Sequence, residues 1–281
     1  MPTVRPVGIF DSGVGGLTVA GALLRRNPCL PLLYVADQAH VPYGGRPLEE
    51  IRGFATAISA FLAQQQCRAI LMACNISSAT ALASVSQSLS PLPVYGMIAP
   101  AVRVALQPFS LSEYRDAPRI GVLATAGTVQ SGAYAAALRS LHRRCQVTQV
   151  PCPKFVPLVE AGEMESAAAR EAACEYLTPL AQARCQSIIL GCTHYPYLLP
   201  TLQRVAADLF AYPVAFIDPA EALADALALQ TSFDDRPSPP CLLLTTGDPD
   251  HFRRQIPRFL PNAVCEVRAA RWQTDGSLQI A

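Results

Sequence analysis

The chain has 281 residues, enough for two domains of ordinary size, with 51% hydrophobic and 15% charged residues and a net charge of +1. Such a composition excludes a disordered chain, and no apolar run approaches the roughly 18 residues that a membrane-spanning helix needs. The charge is dispersed, with no basic run longer than a pair such as Arg25–Arg26, so a nucleic-acid partner is not expected.

In chain order, the first apolar run is "VGIF" at Val7, and it is followed by Asp11-Ser12 and the small-residue stretch "GVGG". This reads as a strand running into a tight turn, where glycines let the backbone approach a ligand. A nucleotide loop is the weaker reading, because "GVGGLT" breaks G-x-G-x-x-G at its last position and no Walker lysine follows. An opening that places Asp11 and glycines where a secretory signal has its apolar core points to a cytoplasmic protein. Further strand runs follow at Leu32 ("LLYVA"), Ala69 ("AILMA"), Ile120 ("IGVL"), Ser187 ("SIILG") and Val214 ("VAFI"). Residues 48–66 and 164–184 carry apolar residues at helical spacing and read as covering helices. After "TSFDDRPSPP" at Thr231–Pro240, which reads as an exposed loop, two more strand signals begin at Cys241 and Ala263.

Alternating strand and helix signals, with strands that lack polar alternation, predict an α/β fold of two similar domains, each a mostly parallel sheet flanked by helices. The proline-rich "SPLPVYG" and the region near Tyr212 set expected boundaries, giving a first domain of residues 1–96 plus 212–281 and a second of residues 97–211. A weak duplication supports this division. "VGIFDSGVGGLTV" is matched by "IGVLATAGTVQSG", and "AILMACNISSATAL" by "SIILGCTHYPYLL", with nearly equal separation from Gly8 to Cys74 and from Gly121 to Cys192. Ligands of open α/β sheets bind beyond the carboxyl ends of strands, so each half should carry its cysteine in a functional crevice. If the halves face each other, the two thiols flank one ligand.

Most of the ten cysteines lie in apolar stretches and read as free, buried thiols: Cys29, Cys67, Cys145, Cys152, Cys174, Cys185, Cys241 and Cys265. Cys74-Asn75 and Cys192-Thr193-His194 differ, because each cysteine ends a strand and leads into polar residues. Inverting a carbon acid requires one group on each face of the carbon, and a thiol with an intrinsic pKa of about 8.5 can act as base or acid after modest tuning. His194, two residues from Cys192, is then a proton partner. No CxxC pair supplies a structural metal site, so no metal is expected. Lys154 is the one lysine of the chain, so a pyridoxal-phosphate enzyme would have to form its Schiff base there, and no such cofactor is expected.

These residues carry a resemblance. "GIFDSGVGGLTV", "PYG" at Pro42–Gly44, "ACN" at Ala73–Asn75, "CPKFVPLVEAG" from Cys152 and "LGCTHYP" from Leu190 resemble, in order and over nearly the full chain, the glutamate racemases of the aspartate/glutamate racemase superfamily. The resemblance implies cofactor-independent racemisation of glutamate at an interface between two α/β domains, with D-glutamate destined for peptidoglycan. Carried over by position, it implies that Cys74 and Cys192 are the two acid/bases, assisted by Asp11 and His194. Asp11, Ser12, Asn75, Ile76, Thr193 and His194 would contact substrate, Tyr43 and Gly44 would line the pocket, and Glu160 would be auxiliary. Two departures bear on substrate: Ile76 stands where the family usually has threonine, and "ADQAHVPYGGRP" differs around Gln38, His40 and Pro47. A sister activity on aspartate, a hydantoin or maleate is the alternative, with a non-catalytic ligand-binding relative further behind. The sequence leaves a homodimer open.

Overall fold

The computed structural model describes residues 5–109, 117–228, 241–261 and 263–281, so the loop expected over Thr231–Pro240 lies outside the described residues. The chain forms two compact units, one of Met1–Met97 with Leu223–Ala281 and the other of Ile98–Ala222. Among the described residues no helix is long and apolar enough to cross a membrane.

The strands of the first unit are β1 (Val7–Asp11), β2 (Leu32–Ala36), β3 (Ala69–Met72) and β4 (Val94–Gly96). The second unit holds β5 (Arg119–Ala124), β6 (Gln146–Pro151), β7 (Ser187–Gly191) and β8 (Ala215–Ile217). The chain then returns to the first sheet with β9 (Cys241–Thr245), β10 (Cys265–Trp272) and β11 (Leu278–Ile280). The first sheet runs β11-β10-β9-β2-β1-β3-β4, parallel except for the terminal β10–β11 hairpin. The second runs β6-β5-β7-β8 and is parallel throughout. The return falls later than Tyr212. β8 hydrogen-bonds to β7, with Ile188 opposite Phe216, so the run at Val214 completes the second sheet instead of rejoining the first.

β1, β2 and β7 are buried at every position, as their unbroken apolar runs require. On one face of the first sheet, Phe10, Val35, Ile70 and Met72 pack against Ala55, Ile58 and Phe61 of the helix Leu48–Gln64. That helix lies close to the sheet at Gly8, where an added Cβ would stand 3.2 Å from its Leu62 and 2.9 Å from the sulfur of Cys67 just beyond it. Gly121 serves the second sheet in the same way, since a Cβ there would stand 2.9 Å from Leu180 of the helix Ala167–Gln182. The duplication is thus structural: β2-β1-β3-β4 and β6-β5-β7-β8 share one order. In each set the order reverses beside its first strand, where such sheets open a crevice at the carboxyl ends.

Candidate active site

In the first unit β1 delivers Asp11 to the reversal point, and β3 delivers Cys74 beside it. Phe10 is in register with Met72, and the Ala73 amide donates to the Phe10 carbonyl, so the residues that follow emerge from neighbouring strands. Asp11 is fully buried, and its Oδ2 accepts from the amides of Gly13 (3.2 Å) and Gly16 (3.0 Å). These donors fix a carboxylate that burial alone would disfavour. Gly16 is required here, because a Cβ would stand 2.5 Å from Asp11 Cβ and 2.7 Å from the Tyr34 hydroxyl, which donates to the Gly13 carbonyl. Ser12, directly after the strand, is half-buried.

Cys74 is the residue that caps the helix Asn75–Ser88, yet its thiol is not used as the cap. The amino end of a helix favours negative charge at that position. Cys74 packs with Tyr43, Ile51 and Ile76 in a small buried cluster, and Asn75 is buried next to it. Tyr43 and Gly44 belong to the 3-10 turn Tyr43–Gly45, which places the Tyr43 ring in that cluster and leaves Gly44 half-buried. Burial pushes the Tyr43 phenol far above its ordinary value. The Asp37 carboxylate, Cys74 and Asp11 push in the same direction. Tyr43 therefore stays protonated and donates to Asp37 Oδ2 at 2.6 Å.

Asp37 is the residue that sequence reasoning missed. It is fully buried, and around it converge His40 Nδ1 (2.9 Å) and the Tyr43 hydroxyl at Oδ2, with Thr246 Oγ1 (2.8 Å) and Trp272 Nε1 (2.7 Å) at Oδ1. The carboxylate thereby ties the "PYG" turn to the two strands that return late in the chain. The available signal was its place at the end of β2, next to β1, three residues before His40 and six before Tyr43.

In the second unit Cys192 directly follows β7, whose Gly191 is in register with Ala124 of β5. Its Sγ lies 3.9 Å from His194 Nδ1, and His194 Nε2 lies 3.3 Å from Glu160 Oε1. Cys192, Thr193 and His194 are all buried, whereas the Glu160 side chain is 42% exposed. Structure therefore joins Cys192, His194 and Glu160 into a chain of contacts that sequence spacing left open for Glu160. Tyr134 and Tyr195 wall this group. Burial, reinforced by Cys192, raises both phenols, and Tyr195 donates to the Cys152 carbonyl at 3.1 Å. Burial likewise raises the neighbouring Cys152 thiol, which donates to the Val150 carbonyl and stays a structural thiol. Lys154 stands at the surface in an ion pair with Glu175. Two surface cavities of about 450 and 480 Å³, beside Phe210 and beside Trp272, include none of the candidate residues.

Comparison with known proteins places the chain in a family. The family model described as Asp/Glu/Hydantoin racemase matches residues 20–227. The chain is 44% identical to a glutamate racemase of Gloeobacter violaceus over 88% of this chain and 89% of the relative. Among solved structures it is similar to a glutamate racemase isoform of Bacillus anthracis, with a TM-score of 0.85, 32% identity, and coverage of 95% and 97% of the two chains. It is also similar to a glutamate racemase of Francisella tularensis in complex with D-glutamate, with a TM-score of 0.82, 29% identity, and coverage of 94% and 97%.

Proposed function

Because the chain belongs to the Asp/Glu/hydantoin racemase family, and is thus an isomerase, we propose that it interconverts L- and D-glutamate with Cys74 and Cys192 as the two acid/bases. The observation that carries this reading is the paired placement of the two thiols: each follows the strand next to the first strand of its sheet, at the reversal point. One thiolate removes the α-proton from one face of the substrate, and the opposite thiol protonates the carbanion on the other face. Asp11 assists at Cys74, and His194, backed by Glu160, assists at Cys192. Ser12, Asn75 and Thr193 hold the α-amino and α-carboxylate groups, and Tyr43 and Gly44 line the pocket. Pyridoxal phosphate has no part in this scheme; the exposed, ion-paired position of Lys154 supports that. The product D-glutamate would serve peptidoglycan synthesis in the cytoplasm.

Racemisation in D₂O without added cofactor, followed by circular dichroism and proton NMR, tests the mechanism. With L-glutamate, the D-product should carry deuterium at the α-carbon from the first turnovers while unreacted L-glutamate stays protiated, because the incoming proton comes from the opposite, solvent-exchanged thiol. Early product that retains protium, or equal labelling of both enantiomers, would point to a single base. A faster rate on L-aspartate than on L-glutamate would move the substrate to the sister activity.

A further inference from the structure

Cys241 and Cys265 lie outside the site described above, and each opens its strand. β9 and β10 are parallel neighbours, and the two cysteines are directly in register. Neighbouring strands lie about 4.8 Å apart, and register partners project to the same face of the sheet. That spacing falls inside the roughly 4.4 to 6.8 Å between Cα atoms that a disulfide spans. Both cysteines are free thiols, Cys241 buried and Cys265 half-buried. Since β9 and β2, and β2 and β1, are also parallel, the pair stands at the amino ends of strands whose carboxyl ends lead to Asp11. A five-residue strand separates the two ends by about 16 Å.

We propose that Cys241 and Cys265 are a peroxide-sensitive dithiol, in which Cys241 is oxidised by a hydroperoxide and Cys265 closes a disulfide between β9 and β10. Interaction with the Cys265 thiol lowers the Cys241 thiol, and the same interaction together with burial raises that of Cys265, so the in-register pair offers one sulfur as thiolate and the other as thiol. Thiolate is the nucleophile of such chemistry. In the first step the Cys241 thiolate attacks one peroxide oxygen, the O–O bond breaks, and the sulfur becomes a sulfenic acid while the other oxygen leaves as water (or alcohol) after taking up a proton. In the second step the Cys265 sulfur displaces the sulfenic hydroxyl, the S–S bond forms, and a second water leaves with the Cys265 proton. The peroxide is reduced by two electrons and the two thiols are oxidised by two. A small oxidant suits the site, because Cys241 is only 7% exposed. Larger disulfides would have to enter through Cys265.

The test uses the intact folded chain and one equivalent of hydrogen peroxide, followed by alkylation, non-reducing digestion and mass spectrometry. The expected result is a cross-linked Cys241–Cys265 peptide, two hydrogens lighter than its parts and cleaved by dithiothreitol. It should form before the exposed thiols of Cys29 and Cys174 are consumed. In Cys265→Ser, dimedone should trap Cys241 as sulfenic acid at least about tenfold faster than Cys29, and in Cys241→Ser the remaining Cys265 should react no faster than Cys29. Oxidation of Cys29 and Cys174 with no cross-link, or a cross-link that forms only in denaturant, overturns the proposal. The wild-type peptide map gives this answer even where a serine variant folds poorly.

Discussion

The two sheets share strand order, a close-approach glycine on the first strand, and a buried cysteine that leads into the third, yet the surroundings of their candidate thiols differ. Gln66 and Arg184, both at positive φ, end the two long helices, and each is followed by a buried cysteine, Cys67 or Cys185. Beyond these points the halves diverge. Register pairs Phe10 with Met72 in one sheet and Leu123 with Leu190 in the other, so Asp11 corresponds to Ala124, Cys74 to Cys192, and Ile76 to His194. Each half thus has one polar residue in the proposed helper role, brought by a different strand. In the first, a carboxylate at the end of β1 is locked by backbone amides, and in the second an imidazole follows the thiol itself. The shared strand order accounts for where the thiols stand, and under the proposed mechanism the divergence around them makes the two faces of the reaction chemically unlike.

The largest effects should separate strand-end cysteines from strand-entry cysteines. Cys74→Ala and Cys192→Ala should each reduce racemisation by about 10² to 10⁴, the range for a positioned acid or base. Cys67→Ala and Cys185→Ala occupy equally matched positions but should leave kcat unchanged and cost about 1 kcal/mol of stability. Burial pushes the Cys67 thiol up to about 12 and the Cys185 thiol up to about 11, so both remain protonated near neutral pH. Coupled assays with circular dichroism and thermal melts read both quantities. Near-normal turnover in either strand-end variant would remove the paired-thiol mechanism.

Asp11→Asn and His194→Asn should come next, at about 10² each. Enantiomers are equally stable, so kcat/KM must fall equally in both directions for any variant. The halves are separated instead by the primary isotope effect with α-deuterated substrates. Slowing one thiol makes its own proton transfer limiting, which raises the isotope effect for the enantiomer it deprotonates and lowers it for the other. The two variants should therefore shift the isotope effects of L- and D-glutamate in opposite senses. A shift in the same sense would mean that both helpers serve one thiol.

The strand pattern and the place of Cys74 and Cys192 at strand ends were legible because they rest on local signals: unbroken apolar runs, and cysteines placed where those runs end. What escaped was set by long-range pairing. Asp37 is an ordinary residue in sequence, and its four donors come from His40, Tyr43, Thr246 and Trp272, the last two far along the chain on the returning segment. The run at Val214 gave a correct strand but no indication of its sheet, since apolar content is the same for either and only the pairing of β8 with β7 decides it. Glu160 was found by resemblance alone, and its contact with His194 required the fold.

Ile76→Thr probes the position matched to His194. Ile76 is buried against Tyr43, Ile51 and Cys74, so threonine exchanges apolar packing for a hydroxyl and should cost about 1 to 3 kcal/mol of stability, read by thermal melts. Because the resemblance places position 76 at the substrate, the added hydroxyl should also lower the KM for glutamate by up to about fivefold, the worth of roughly 1 kcal/mol for an added hydrogen bond. An unchanged KM would mean that position 76 does not contact the substrate, and would sharpen the contrast with His194.

The smallest effect belongs to Glu160→Gln, and it tests whether the contact chain at Cys192 reaches the surface with any force. Glu160 stands 3.3 Å from His194, but its side chain is 42% exposed while that of His194 is 5% exposed. Water and salt screen the outer partner, and exposed ion pairs contribute about 0 to 1 kcal/mol, so the rate should fall by less than about fivefold. That figure is far below the loss from His194→Asn, because the imidazole contacts the thiol and the carboxylate acts only through the imidazole. Ionic strength distinguishes an electrostatic role from a merely steric one. Raising salt to about 1 M contracts the screening length to about 3 Å and should slow the wild type toward the variant, while the Glu160→Gln protein, with no charge to screen, should respond little. An equal salt response in both proteins would show that Glu160 adds no charge stabilisation at His194, leaving Cys192 with a single helper, as Cys74 has in Asp11.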